Sequence, residues 1–173
     1  LEARREDCAP LAGKSTLNRL ELSKLEPTRY HKISHNPVAI KRLLVDMFLE
    51  AHARPPKQII LDLDATDDPL HGEQELTQFH GYYDHYCYLP LYVFCGQAML
   101  ACLLRPSRID GAQHAAAVVK LLVTRLRQAW PQARIIVRGD SGFCRQRLLR
   151  WCERSGVGYV IGVEQGRIPA QPS

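Results

Sequence analysis

The sequence predicts an α/β domain built on a mixed sheet and preceded by a helical region. Three observations carry this expectation. Apolar residues follow helical spacing before residue 57 and strand-like alternation from residue 58. Three strand-like segments then follow with short turns between them, which implies an antiparallel meander. After residue 110 helix-like and strand-like segments alternate, as in parallel strands joined by crossovers. A chain of 173 residues, 46% of them hydrophobic, can bury the core of one such domain with an additional helical piece.

Residues 1–57 read as helix and loop. Ser15 or Thr16 is placed to cap a short helix through Leu25, and Pro27 and Pro37 punctuate the segment. Asn36 is an N-cap candidate with Pro37 at the first helical position. The apolar positions 40, 43, 44, 47 and 48 then follow at helical spacing until RPP at 54–56. From 58 onward, QIILDLDAT alternates: Ile60, Asp62 and Asp64 face one way, and Ile59, Leu61 and Leu63 the other. The aromatic-rich GYYDHYCYLPLYVFCG is expected as a second strand interrupted near Pro90, and AMLACLLRP as a third.

Asp110-Gly111 is expected to open an amphipathic helix with an apolar stripe of Ala115, Val118, Val119, Leu122 and Leu126. ARIIVRGD reads as a fourth strand, CRQRLLRWCERSG as a helix ending at Gly156, and VGYVIGV as a fifth strand. The order β-β-β-α-β-α-β is that of the ribonuclease-H-like fold, which divides the chain into a helical region 1–57 and a catalytic-type domain 58–173. In that fold strands 1 and 4 lie side by side and parallel. Their carboxyl ends, at Asp64 and Asp140, would meet at the kind of crevice where open α/β sheets bind ligands.

Charge is unevenly distributed. Residues 58–104 hold seven acids and no Lys or Arg, whereas 105–154 hold eleven bases and three acids. Such segregation suggests a carboxylate site for cations beside a basic surface for a polyanion. The six cysteines form no CxxC pair and lie mostly in apolar or aromatic runs, which fits free thiols in a reducing cytoplasm. No run of about 18 apolar residues exists, so no membrane span is expected. The N-terminus LEARRED is charged in both signs and leads into no apolar segment, so no signal peptide is expected either. Without an initiator Met the chain reads as a fragment.

ILDLDATDD packs Asp62, Asp64, Asp67 and Asp68 into seven positions with no neighbouring cation. Like charges this close disfavour one another unless something positive arrives. Hard divalent cations take carboxylate oxygens, and two of them can clamp the attacking and leaving oxygens of a phosphoryl transfer. Either Asp64 or Asp140 alone reads as a turn-capping aspartate. Both together, at the ends of adjacent strands, read as Mg²⁺ ligands. Asp62 shares the face of Asp64 and needs either a partner or the metal itself, while Asp67 and Asp68 read as a solvated turn. Arg138, Arg145, Arg147, Arg150 and Arg154 are candidate phosphate contacts around Asp140, though each alone could be ordinary solvated surface. GKST at 13–16 is no phosphate loop, because Cys8 stands where the first glycine belongs. GDSG at 139–142 lacks the setting of a serine-protease nucleophile. His31 and His35 read as solvated, and His80 and His85 as packing residues that could touch substrate.

LDLDATDDPLHGEQE, GYYDHYCYLPLYVF, LLRP, IIVRGDSGF and GYVIGV, in that order, closely resemble the DDE transposases of bacterial insertion sequences. The nearest group is the one named for insertion sequence thirteen-eighty, whose domain is called DDE transposase group 1. The resemblance extends to LAGKSTLNRLE and so covers essentially the whole chain. It implies a ribonuclease-H-like catalytic domain with Mg²⁺-dependent cleavage at transposon ends and strand transfer into target DNA. It also implies two Mg²⁺ ions, with Mn²⁺ able to substitute, and a homo-oligomer acting on double-stranded DNA in the bacterial cytoplasm, bound at the nucleoid. The first Asp of the family falls on Asp64, followed by Ala65 and Thr66, and the second on Asp140. The third carboxylate would be a Glu on a helix well beyond the fifth strand. Glu153 precedes that strand and Glu164 lies at its end, so neither matches. The chain is therefore expected to stop before that ligand and to be inactive alone. The alternatives are a DNA-binding remnant without catalysis and another ribonuclease-H-like nuclease such as a junction resolvase.

Overall fold

The computed structural model describes residues 13–23, 26, 29, 34–70, 78–81 and 83–163. The expected helix end at Leu25, and His31, Tyr82 and Glu164, lie outside them. Backbone contacts divide the chain into two compact units, 1–43 and 44–173. The division thus falls inside a helix rather than at residue 57, because Val45 and Phe48 belong to the buried core of the second unit.

In the first unit, α1 (Lys14–Glu21) starts after Gly13 with no side-chain cap, so Ser15 and Thr16 lie within the helix instead of capping it. Asn36 does cap α2 (Pro37–Glu50): its Oδ1 accepts from the amides of Val38 at 3.0 Å and Ala39 at 3.1 Å. The buried positions of α2 are Val45 and Phe48, whereas Ile40, Leu43 and Met47 are exposed. The apolar stripe expected on this helix is therefore only partly the buried one.

The second unit is organised by β1 (Gln58–Ala65). Ile59, Leu61 and Leu63 are buried, and the residues between them are not, as the alternation requires. The tyrosine-rich stretch forms two strands in two sheets, not one interrupted strand. β2 (Asp68–Pro69), β3 (Gln78–His80) and β4 (His85–Tyr88) make a small antiparallel sheet in the order β2-β4-β3. Pro90 has no amide proton to donate to a ladder, and the chain changes sheets there. β5 (Leu91–Cys95) and β6 (Ala98–Leu103) then join β1 in the main sheet. β7 (Arg134–Gly139) and β8 (Gly158–Ile161) complete it, in the order β6-β5-β1-β7-β8. β5 and β6 run antiparallel, and β1, β7 and β8 run parallel to one another. This is the ribonuclease-H-like arrangement, with the small sheet inserted after the first strand.

Helices α3 (Ala115–Ala129) and α4 (Gln146–Arg154) are the crossovers between the parallel strands. α3 buries Ala115, Val119, Leu122, Val123 and Leu126, and α4 buries Leu148 and Cys152. These share one core with Leu61, Leu91, Val93, Leu100, Ile135 and Val137. Each fully buried aliphatic side chain contributes about 1.5–3 kcal/mol. α3 begins four residues later than Asp110-Gly111 suggests. Asp110 Oδ1 accepts from the Ala112 amide at 2.7 Å in a local turn, and His114 is left-handed (φ 69°), so helical geometry cannot pass through it. The five described cysteines are free thiols, and no helix among the described residues is long and apolar enough to cross a membrane.

The end of β7 is fixed from two sides. Asp140 caps a 3₁₀ turn (Ser141–Phe143) whose Phe143 is buried in the core. After β8 the chain returns to the same place: the Gly162 amide donates to the Gly139 carbonyl at 3.0 Å. A Cβ on Gly162 would stand 2.8 Å from the Ser141 nitrogen, so only glycine fits this approach.

Leu61→Ala, in the fully buried row of β1, is expected to lower unfolding free energy in urea by about 2–5 kcal/mol. Leu121→Ala, at an exposed position of α3, is expected to change it by less than about 0.5 kcal/mol. Gly162→Ala is expected to cost about 1–3 kcal/mol through overpacking against the Asp140–Ser141 backbone.

Candidate functional site

Parallel pairing of β1 with β7 runs from Gln58↔Arg134 to Asp62↔Arg138. Beyond that rung the strands part, and Asp64 and Asp140 stand at their carboxyl ends. Both residues are exposed. Asp64 makes no hydrogen bond or ion pair with the described residues, and its neighbour across β5 is Tyr92. Burial, first, pushes the Tyr92 phenol up, and the charges of Asp68 and Asp64 add to the shift. Asp140 uses Oδ1 to accept from the Gly142 amide at 2.8 Å, and Oδ2 carries no bond. Two carboxylates with open oxygen edges thus face solvent at the ends of two adjacent strands. Such a donor set suits a hard divalent cation that keeps several waters. No group of three or more His, Cys, Asp or Glu that could hold a metal forms among the described residues.

Asp62 has a different role. Its carboxylate is taken in a bidentate pair by Arg138, at 2.5 Å from Nε and 2.9 Å from Nη2. The hydrogen bonds and charge of Asp62 push the Arg138 guanidinium above its ordinary value. The cation missing from the sequence around Asp62 therefore arrives from the neighbouring strand. This pair occupies both Asp62, expected as a metal ligand, and Arg138, expected as a phosphate contact. Fork-to-carboxylate geometry of this kind is the strong form of the interaction.

Asp67 is not a freely solvated turn residue either. Its Oδ2 lies 2.8 Å from His85 Nε2, and its side chain is 22% exposed. His85 in turn has Tyr83 as a ring neighbour. Asp68 lies in β2, paired with Tyr88.

Of the expected basic set, Arg145 precedes α4 and donates to Asp110 Oδ2 at 2.6 Å. That contact, first, holds the Asp110 carboxyl below the usual carboxylate range. Arg147, Arg150 and Arg154 are exposed and spaced to share one side of α4. The local sequence carries no signal for the contacts of Asp110, Arg105 or Gly162: Asp110 reads as a helix start, and nothing near it points to Arg145, 35 residues on. Arg105 is 2% exposed and donates to the carbonyls of Leu89, Gly111 and Gln113 at 2.8, 3.1 and 2.6 Å. Only its burial, visible in three dimensions, distinguishes it from a surface arginine.

Comparison with known proteins adds family membership. The fold shows likeness to the catalytic domain of Mos1 mariner transposase, with 10% identity, 83% of this chain and 66% of that one covered, and a TM-score of 0.44. It shows likeness to piggyBac transposase in a synaptic complex with hairpin DNA, with 14% identity, coverage of 79% and 33%, and a TM-score of 0.43. A third is the HTLV-2 integrase catalytic core domain in complex with magnesium, with 11% identity, coverage of 66% and 66%, and a TM-score of 0.36. The chain thus spans between a third and two thirds of these structures. No curated protein matched. The family model described as transposase DDE domain group 1 matches residues 1–170. Matched over nearly its whole length, the chain belongs to that transposase family.

Proposed function

We propose that the protein of which this chain is the DDE domain cleaves phosphodiesters at transposon ends and transfers the freed strand into target DNA. The observation that carries this reading is the pair of exposed carboxylates, Asp64 and Asp140, at the ends of adjacent parallel strands, without a basic partner. Asp64 and Asp140 would hold Mg²⁺, or Mn²⁺ in its place. Bound there, the cation would activate the attacking oxygen and stabilise the leaving one of the phosphodiester. Arg138 neutralises Asp62, so β1 offers one free carboxylate, Asp64, rather than two that repel each other. Arg147, Arg150 and Arg154 would take backbone phosphates and fix the register of the strand. Asp140 keeps its orientation through the Gly142 amide, which leaves Oδ2 for the ligand.

In the full-length protein, Asp64→Asn and Asp140→Asn are each expected to lower end cleavage by roughly 100-fold or more, on the scale of removing one charge-stabilising group. DNA binding measured by gel shift should persist in both. Asp62→Asn is expected to retain far more cleavage, because its carboxylate serves Arg138. Cleavage that survives Asp140→Asn would overturn the metal assignment.

A further inference from the structure

A cavity of about 540 Å³ is lined by residues that include Asp110, Gln113, His114, Ala115, Arg145 and Arg147. Its place in the fold follows from two contacts. A Cβ on Gly111 would lie 3.7 Å from the Ala65 Cβ, so the loop before α3 rests against the end of β1, next to Asp64. Arg145 follows Asp140 by five residues and ties itself to that loop through Asp110. The cavity therefore flanks the strand ends that carry Asp64 and Asp140.

Its electrostatics are one-sided. Arg145 and Arg147 line it, and Asp110 is the single acid among the lining residues. Asp110 is already engaged by Arg145 and by the Ala112 amide. This leaves Arg147, among the described residues, as the cation at the wall without an acidic partner. Behind the same loop, buried Arg105 donates to the Gly111 and Gln113 carbonyls. Among the described residues its Nη2 has no hydrogen-bond partner, and no carboxylate is bonded to the guanidinium. Burial holds its pKa below the ordinary arginine value. Arg105 braces the loop from behind without lining the cavity, and the charge of Asp110 acts on its guanidinium. The first turns of α3 and α4 also reach the cavity, and neither helix has a side-chain cap or an acid in its first turn. Their free amides add positive potential to that of the arginines.

Resting on the DNA-cleavage reading above, we propose that this cavity is a phosphate subsite. It would take one phosphodiester of the DNA backbone next to the one positioned at Asp64 and Asp140. The single negative charge of a phosphodiester matches the one unpaired cation at the wall, and Asp110 acts as the opposing group that keeps Arg145 in place until the phosphate enters.

The test needs no metal. In ¹H–¹⁵N NMR titration of the chain with inorganic phosphate, the amides of Ala116 and Arg147 are expected to shift saturably. Arg145→Gln/Arg147→Gln should abolish those shifts. Asp110→Asn, which keeps the turn acceptor but removes the competing charge, should tighten phosphate binding several-fold. With duplex DNA, the double variant should bind roughly tenfold more weakly at low salt, and its log–log salt slope should fall in magnitude by about one. Shifts that are absent or spread over the whole surface would overturn the proposal. So would an Asp110→Asn variant that binds phosphate more weakly than the parent. Phosphate shifts with an unchanged DNA salt slope would also overturn it, since they would mark a site for free phosphate only. Phosphate and DNA binding as expected, without metal-dependent cleavage by the full-length protein, would defeat the cleavage reading alone. Cleavage with a silent cavity would defeat this proposal alone.

Discussion

The parallel pairing of β1 with β7 is the constraint on which the rest depends. Its last rung joins Asp62 to Arg138, 76 residues apart in sequence, through both oxygens of the carboxylate and two nitrogens of the guanidinium. Parallel neighbours need a crossover, and α3 supplies one that buries its apolar face on the sheet. Hydrophobic burial of Ile59, Leu61, Leu63, Ile135 and Val137 fixes which face each strand presents. A slip of one residue would turn Asp62 and Asp64 into the core, which desolvation forbids. The core therefore determines where the carboxylates stand, and the Asp62–Arg138 pair closes the register immediately before them.

The local charges divide among distinct tasks. Asp62 is matched by Arg138, Asp67 by His85, and Asp110 by Arg145. Asp64 and one edge of Asp140 are left open. Among the described residues Asp62 and Asp110 have arginine partners and Asp67 a histidine, whereas Asp64 and Asp140, at the ends of adjacent strands, have no basic partner. The basic residues that follow, on α4 and around the neighbouring cavity, supply the opposite potential a short distance away. In the proposed reading, cation and polyanion would be held side by side, as phosphoryl transfer requires.

Much of this architecture was legible in the sequence. The period change at residue 58, most of the α3 stripe and the placement of Asp64 and Asp140 follow from alternation and spacing, which are local. The parallel neighbours followed once the order of elements was set. The family resemblance, carried by the two aspartate blocks in order, agrees with the match over residues 1–170. Features that depend on distant contacts were less legible. Proline in a tyrosine-rich run marks an interruption, but not that Tyr88 and Leu91 enter different sheets. Four clustered aspartates look alike until Arg138 and His85 are brought beside two of them. Gly162 looks like an ordinary strand-end glycine until the Ser141 nitrogen is found 2.8 Å from where its Cβ would be. Asp110 looks like a helix start until Arg145 is found against it.

The central claim is that Asp64 and Asp140 form one cation site because β1 and β7 are neighbours. Paramagnetic broadening by sub-stoichiometric Mn²⁺, read in ¹H–¹⁵N spectra of the chain, tests it most directly. The account predicts that amides around Asp64 and around Asp140 broaden together, and that Asp64→Asn relieves both sets at once. Broadening confined to one strand end, or centred on Asp67 and Asp68, would contradict it.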